Sequence, residues 1–149
     1  MRVSELSGVL LDYWVARAEA EETLKGSKLQ PAGENRWTIV DPDDDFIMGY
    51  LVDGIQKRFK ARRELNLDSG TWHYWPSGDW AYGGPLMERE KIGVTFGAFG
   101  GLWHALVLKE GVLGVRSTTT GPTPLVAAMR AYVISKFGEE VPEAEKQSA

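Results

Sequence analysis

The sequence predicts an α+β fold in which helices near the two ends flank a mainly antiparallel sheet. Apolar residues recur at helical spacing near the start of the chain and again in GPTPLVAAMRAYVISKFG. Between them, IGVTFGAFGGLWHALVLKEGVLGVR reads as short alternating strands punctuated by glycine, the pattern of a meander. At 149 residues the chain has the size of one domain, large enough to bury a core without covalent staples.

Residues 4–20 form the first expected helix. Leu6, Val9, Leu10, Tyr13 and Ala16 share one face, Asp12 and Arg17 turn away, and Ser4 is placed to cap the first turn. RWTIV at 36–40 alternates as a strand, and DPDDD after it reads as a solvated turn rather than a cation site. FIMGYLV reads as a second strand, followed by a helix through VDGIQKRFKARREL. In the meander, Ile92, Val94 and Phe96 alternate, Gly100-Gly101 turns the chain, WHALVL returns, and KEG leads to a third strand at 112–116. The last helix starts at its N-cap Thr123, with Pro124 in the first turn. Leu125, Ala128, Met129, Tyr132, Val133 and Phe137 form its stripe, and Gly138 stops it in a left-handed conformation.

Composition narrows the chemistry. Cysteine is absent and there are only two histidines, so no disulfide framework, thiolate nucleophile, Cys-based zinc site or His-rich metal site is expected, and no cofactor is assigned. The net charge of −4 argues against a protein that coats nucleic acid, although KRFKARR at 57–63 is locally basic. The N-terminus lacks the layout of a signal peptide, and no apolar run is long enough to span a membrane. A cytoplasmic protein is expected.

The unusual stretch is TWHYWPSGDWAYGGP, with five aromatic residues in fifteen positions. It admits two readings, a seal over the core or a surface on which something stacks. Trp72 and Tyr74 are assigned to packing. Trp75 and Trp80 bracket a turn and are assigned to stacking, with Ser77 and Asp79 as hydrogen-bonding groups and Gly83 and Gly84 allowing close approach. Thr123 at a helix start and Arg116 upstream are the candidate anion contacts, against a plain capping role for Thr123. A turn cap is the competing role for Asp79. No nucleophile, base and orienting group stand in a recognisable pattern, so no catalytic residue is assigned; Asp79 and Glu88 are the one carboxylate pair weighed.

Three segments together, VSELSGVLLDYWVARAEA, WPSGDWAYGGPLMERE and GPTPLVAAMRAYVISKFGEEV, resemble the NinX-like proteins of lambdoid and related phages. The resemblance implies a phage accessory role in the bacterial host and supplies no activity. It leaves 21–70 unmatched, a candidate lineage-specific insertion within a single domain over 1–141, with a disordered acidic tail at 142–149. The leading expectation is a non-catalytic protein that binds a nucleotide-like small molecule, sequestering a host immune signal, as a homo-oligomer. The alternative is an interaction protein that acts on a host or phage protein through an exposed aromatic surface.

Overall fold

A computed structural model describes residues 1–20, 24, 26–43, 45–52, 72–97, 100–108 and 115–145. The expected helix in 52–65, the basic run 57–63 and the KEG turn lie outside the described residues, apart from Val52. The fold is α+β and mainly antiparallel, as expected. Its chain forms two compact units. One comprises Met1–Ser7 and Pro76–Glu143, the other Gly8–Trp75 and Ala144–Ala149.

In the second of these, helix α1 (Gly8–Glu19) accompanies strands β1 (Lys28–Gly33), β2 (Arg36–Val40), β3 (Ile47–Leu51) and β4 (Trp72–His73), in the order β1-β2-β3-β4. β1, β2 and β3 are antiparallel neighbours, and β4 joins β3 in parallel. β1 was not foreseen in KLQPAG. Its Pro31 sits on an edge strand, where a missing amide is tolerated. The expected turn after β2 forms with Asp43 N–H donating to Asp41 Oδ1 at 2.8 Å.

The first helix departs from expectation in two ways. Ser4 lies in a separate 3₁₀ turn, Val3–Glu5, and α1 begins only at Gly8, whose φ of 58° lets the chain break between the two. Asp12, expected to face water, is buried, because α1 is enclosed around most of its circumference. Tyr13 is central to this unit, with ring centroids 4.8 Å from Trp37 and 5.2 Å from Trp14. Of the tail, residues 142–145 are described. Ala144 is buried, the Trp37 Nε1–H donates to Glu145 O at 2.6 Å, and Glu145 N–H donates to Tyr13 Oη at 3.2 Å. Two hydrogen bonds hold the Glu145 backbone, although the composition around it marks a solvated stretch.

In the other unit, α2 (Trp80–Glu90) leads into an antiparallel meander of β5 (Ile92–Phe96), β6 (Trp103–Leu108) and β7 (Val115–Gly121), followed by α3 (Pro124–Phe137). Gly100 and Gly101, at φ 80° and 64°, supply the expected turn between β5 and β6. The third strand, Val115–Gly121, runs past its expected end at 116, because the β-branched threonines of STTTG continue the ladder opposite β6; the expected start at 112–114 lies outside the described residues. α3 lies against all three strands and is buried from Leu125 to Val133 except at the half-buried Arg130. Its expected stripe holds at Leu125, Ala128, Met129, Tyr132 and Val133, whereas Phe137 in the last turn is exposed. Gly121 closes β7 onto α3, since a Cβ there would stand 2.6 Å from Ala127 N. Arg130 ties this assembly together by donating to Leu6 O at 2.8 Å and Thr120 O at 2.9 Å.

Candidate functional site

The last part of the aromatic stretch, after the turn between Trp75 and Trp80, is the start of α2, a helix the sequence reading did not anticipate. Asp79 is its N-cap, in extended conformation, and its carboxylate accepts from Ala81 N–H at 2.9 Å. The Asp79 carbonyl takes the amides of Tyr82 and Gly83 at 3.0 and 2.9 Å. The helix forms despite Gly-Gly-Pro because the cap starts it, Gly83 and Leu86 bury one side, and LMERE consists of good helix formers. It stops at Lys91, which is left-handed at φ 55°, ψ 49°. Asp79 followed by LMERE is the sequence signal for this helix, opposed locally by the glycines and proline.

Each expected site residue now has a place. Ser77 is buried in the turn before α2. Gly83 is buried too, and a Cβ on it would approach both Pro76 O and the Leu125 side chain to 2.6 Å. Its amide is used within the helix, so it serves close packing against α3. Gly84 differs: a Cβ there would meet only Trp80 Cε3, at an ordinary 3.9 Å. Trp80, at the first helical position, is 55% exposed. Thr123 caps α3, accepting from Val126 N–H at 3.1 Å, while its carbonyl takes the Ala127 amide. Those bonds, with Pro124 next to it, leave few amides for an anion there.

The structure therefore gathers Ser77, Asp79, Trp80, Gly83 and Gly84 around the start of α2, with the first turn of α3 against Gly83. Arg116 is not part of that group. It lies near the opposite end of β7 from Thr123, about 17 Å from Gly121 along an extended strand, and its side chain is outside the described residues. Trp75 belongs to the other unit, where it stacks on His73 with centroids 5.8 Å apart and planes at 12°. His73 is buried with Nε2 3.1 Å from Val52 O, and Tyr74 is buried as expected of a packing residue. Asp79 and Glu88, nine positions apart across α2, stand about 13 Å apart along its axis, beyond the separation of a glycosidase carboxylate pair. His104 is exposed on the sheet and packs over Gly97, where a Cβ would overlap its ring.

What the cap and packing leave open is one face of α2. Trp80, Ala81 and Pro85 are exposed and Gly84 is half-buried, and this arc carries no charge until Glu88. Sequence reasoning found Trp80 and Gly84 and missed Ala81 and Pro85, whose common face exists only once the segment is helical. Farther along, Arg89 Nη2 donates to Tyr132 Oη at 3.4 Å and pairs with Glu90 at 3.2 Å, and Lys136 lies 3.6 Å from the same carboxylate. These contacts hold the end of α2 to α3.

Among the described residues, no helix is long and apolar enough to cross a membrane. The family model described as Bacteriophage P22, NinX matches residues 2–136, a range that runs through 21–70 as well as the three segments singled out in the sequence. No match was found among curated proteins.

Proposed function

The chain belongs to the phage P22 NinX family, and from that premise we propose a non-catalytic accessory protein that works by binding a protein partner through the Trp80 face of α2. The composition of this face carries the reading. A helix side turned to water is ordinarily charged, yet here an exposed indole stands among Ala81, Gly84 and Pro85. Tryptophan is enriched among residues that dominate protein interfaces, and small neighbours let a partner's surface reach the ring. Ser77 is buried, and Asp79 and the Gly83 amide are engaged in starting the helix, which favours recognition by burial of the indole over a dense array of hydrogen bonds.

The test is recovery of a partner from infected host cells with the wild-type chain, Trp80→Ala and Glu88→Ala, after matching their thermal unfolding. A specific host or phage protein retained by wild type and Glu88→Ala but lost with Trp80→Ala supports the reading. Equal recovery by Trp80→Ala overturns it.

A nucleotide-like ligand is the second reading, favoured by Gly84, which leaves space beside the indole for a flat heterocycle. Stacking of a base on tryptophan contributes about 1–3 kcal/mol. In this reading the protein sequesters a host nucleotide signal in the cytoplasm, as a monomer or a homo-oligomer. Mononucleotides, cyclic dinucleotides and ADP-ribose derivatives are screened by thermal shift and calorimetry. A true ligand at 100 times its dissociation constant stabilises the fold by about 2.7 kcal/mol. That gain disappears in Trp80→Ala, and silence across the panel rejects this second reading.

A further inference from the structure

Away from Trp80, but within the same unit, residues 2–4, β7 and the segment after α3 line a cavity of about 350 Å³. Arg2 and Glu140 oppose each other across an isolated antiparallel bridge, and Val3 N–H donates to Glu139 O at 2.9 Å. The backbone thus brings Arg2, Glu139 and Glu140 to one concavity. Ser4, Thr118 and Thr119 add hydroxyls, and Ile134 supplies an apolar wall. Among the described residues, these six polar side chains make no hydrogen bond or ion pair with one another or with any other residue. Arg2 and Glu140 leave their charges unpaired although they are bridge partners.

That arrangement selects by charge. A simple anion would meet two carboxylates and the negative end of α3, and a simple cation would meet Arg2. A molecule carrying both charges satisfies all three ionic groups. We propose that this cavity binds a small zwitterion of the α-amino-acid type, its carboxylate on the Arg2 guanidinium and its ammonium between Glu139 and Glu140. The hydroxyls of Ser4, Thr118 and Thr119 complete the hydrogen bonding. The volume falls near the lower end of small-molecule sites, roughly 300–1,000 Å³, which suits a ligand of that size.

The experiment titrates the isotope-labelled full chain with each of the common amino acids and follows its amide resonances. Two controls accompany it, L-alaninamide, which lacks the carboxylate, and N-acetyl-L-alanine, which lacks the ammonium. Saturable shifts centred on residues 2–4, 118–119 and 139–140 are expected for at least one amino acid. Each control should bind about tenfold more weakly or worse, as loss of a charge-assisted hydrogen bond implies. Arg2→Gln and the double variant Glu139→Gln/Glu140→Gln should weaken binding to a similar degree, and Trp80→Ala should leave it unchanged. Saturation by none of the amino acids, equal binding of either control, or full binding by Arg2→Gln overturns the proposal. The control ligands decide the matter even if a variant fails to fold.

Discussion

Gly83 and Gly84 are adjacent in α2 and meet opposite surroundings. A methyl group at Gly83 would press on Pro76 O and Leu125 at 2.6 Å, and a backbone oxygen cannot swing aside as a flexible side chain can. Gly83→Ala is therefore expected to lose about 1–3 kcal/mol through overpacking. At Gly84 the added methyl finds ordinary contact with Trp80, and replacing a helical glycine gains about 0.5–1 kcal/mol. Urea denaturation of the two variants checks both signs, and equal losses would contradict the packing described. If Gly84 serves access to the indole, Gly84→Ala should also weaken whatever binds Trp80 while the fold becomes more stable. Asp79→Ala removes an N-cap, at a cost of about 1 kcal/mol in the same assay.

Among the elements, legibility in the sequence followed local chemistry. Thr123, Pro124 and Gly138 marked the ends of α3, and both ends lie where those residues predict. β2 and the β5–β6 turn were equally legible, since alternation and paired glycines act within a few residues. The extension of β7 beyond 116 was not legible because its threonines look like solvated turn residues until β6 pairs with them. α2 was missed because Gly-Gly-Pro opposes a helix locally, and the packing of Gly83 and Leu86 that overrides it is tertiary. Arg130 illustrates the same limit, since nothing around it in sequence indicates that it joins α3 to the N-terminal segment and β7. Its burial lowers its pKa by desolvation, yet a guanidinium starts so high that it stays charged at neutral pH. Arg130→Leu leaves the Leu6 and Thr120 carbonyls without this donor, and a loss of about 3 kcal/mol is expected from two bonds to a charged group. Arg130→Lys should recover only part of it, because an ammonium lacks the fork that serves two carbonyls at once. Thermal unfolding of the pair measures both effects, and a wild-type midpoint for Arg130→Leu would show that these bonds contribute little.

At the scale of the whole molecule, each unit is assembled from pieces distant in sequence, which no local pattern reveals. Gly8 marks the change from one unit to the other, and Ala144 begins a return to the unit of α1. The candidate site was legible only in part for a related reason: aromatic content identified Trp80, but its exposure depends on which side of α2 packs. The returning tail gives the most direct test of this discontinuous assembly. Trp37 and Tyr13 are both buried, and each makes a hydrogen bond to the backbone of Glu145. Deleting residues 144–149 removes an acceptor from the indole, a donor from the phenol and the buried Ala144. A loss of about 1–3 kcal/mol is expected if those groups are left unsatisfied. Because only backbone atoms of Glu145 take part, Glu145→Ala should stay within about 0.5 kcal/mol of wild type, as surface substitutions usually do. Deleting 146–149 alone keeps both bonds and serves as the control for shortening the chain. Calorimetric unfolding of these three variants separates the possibilities, and a neutral outcome for the longer deletion would show that the tail adds nothing to the unit it joins.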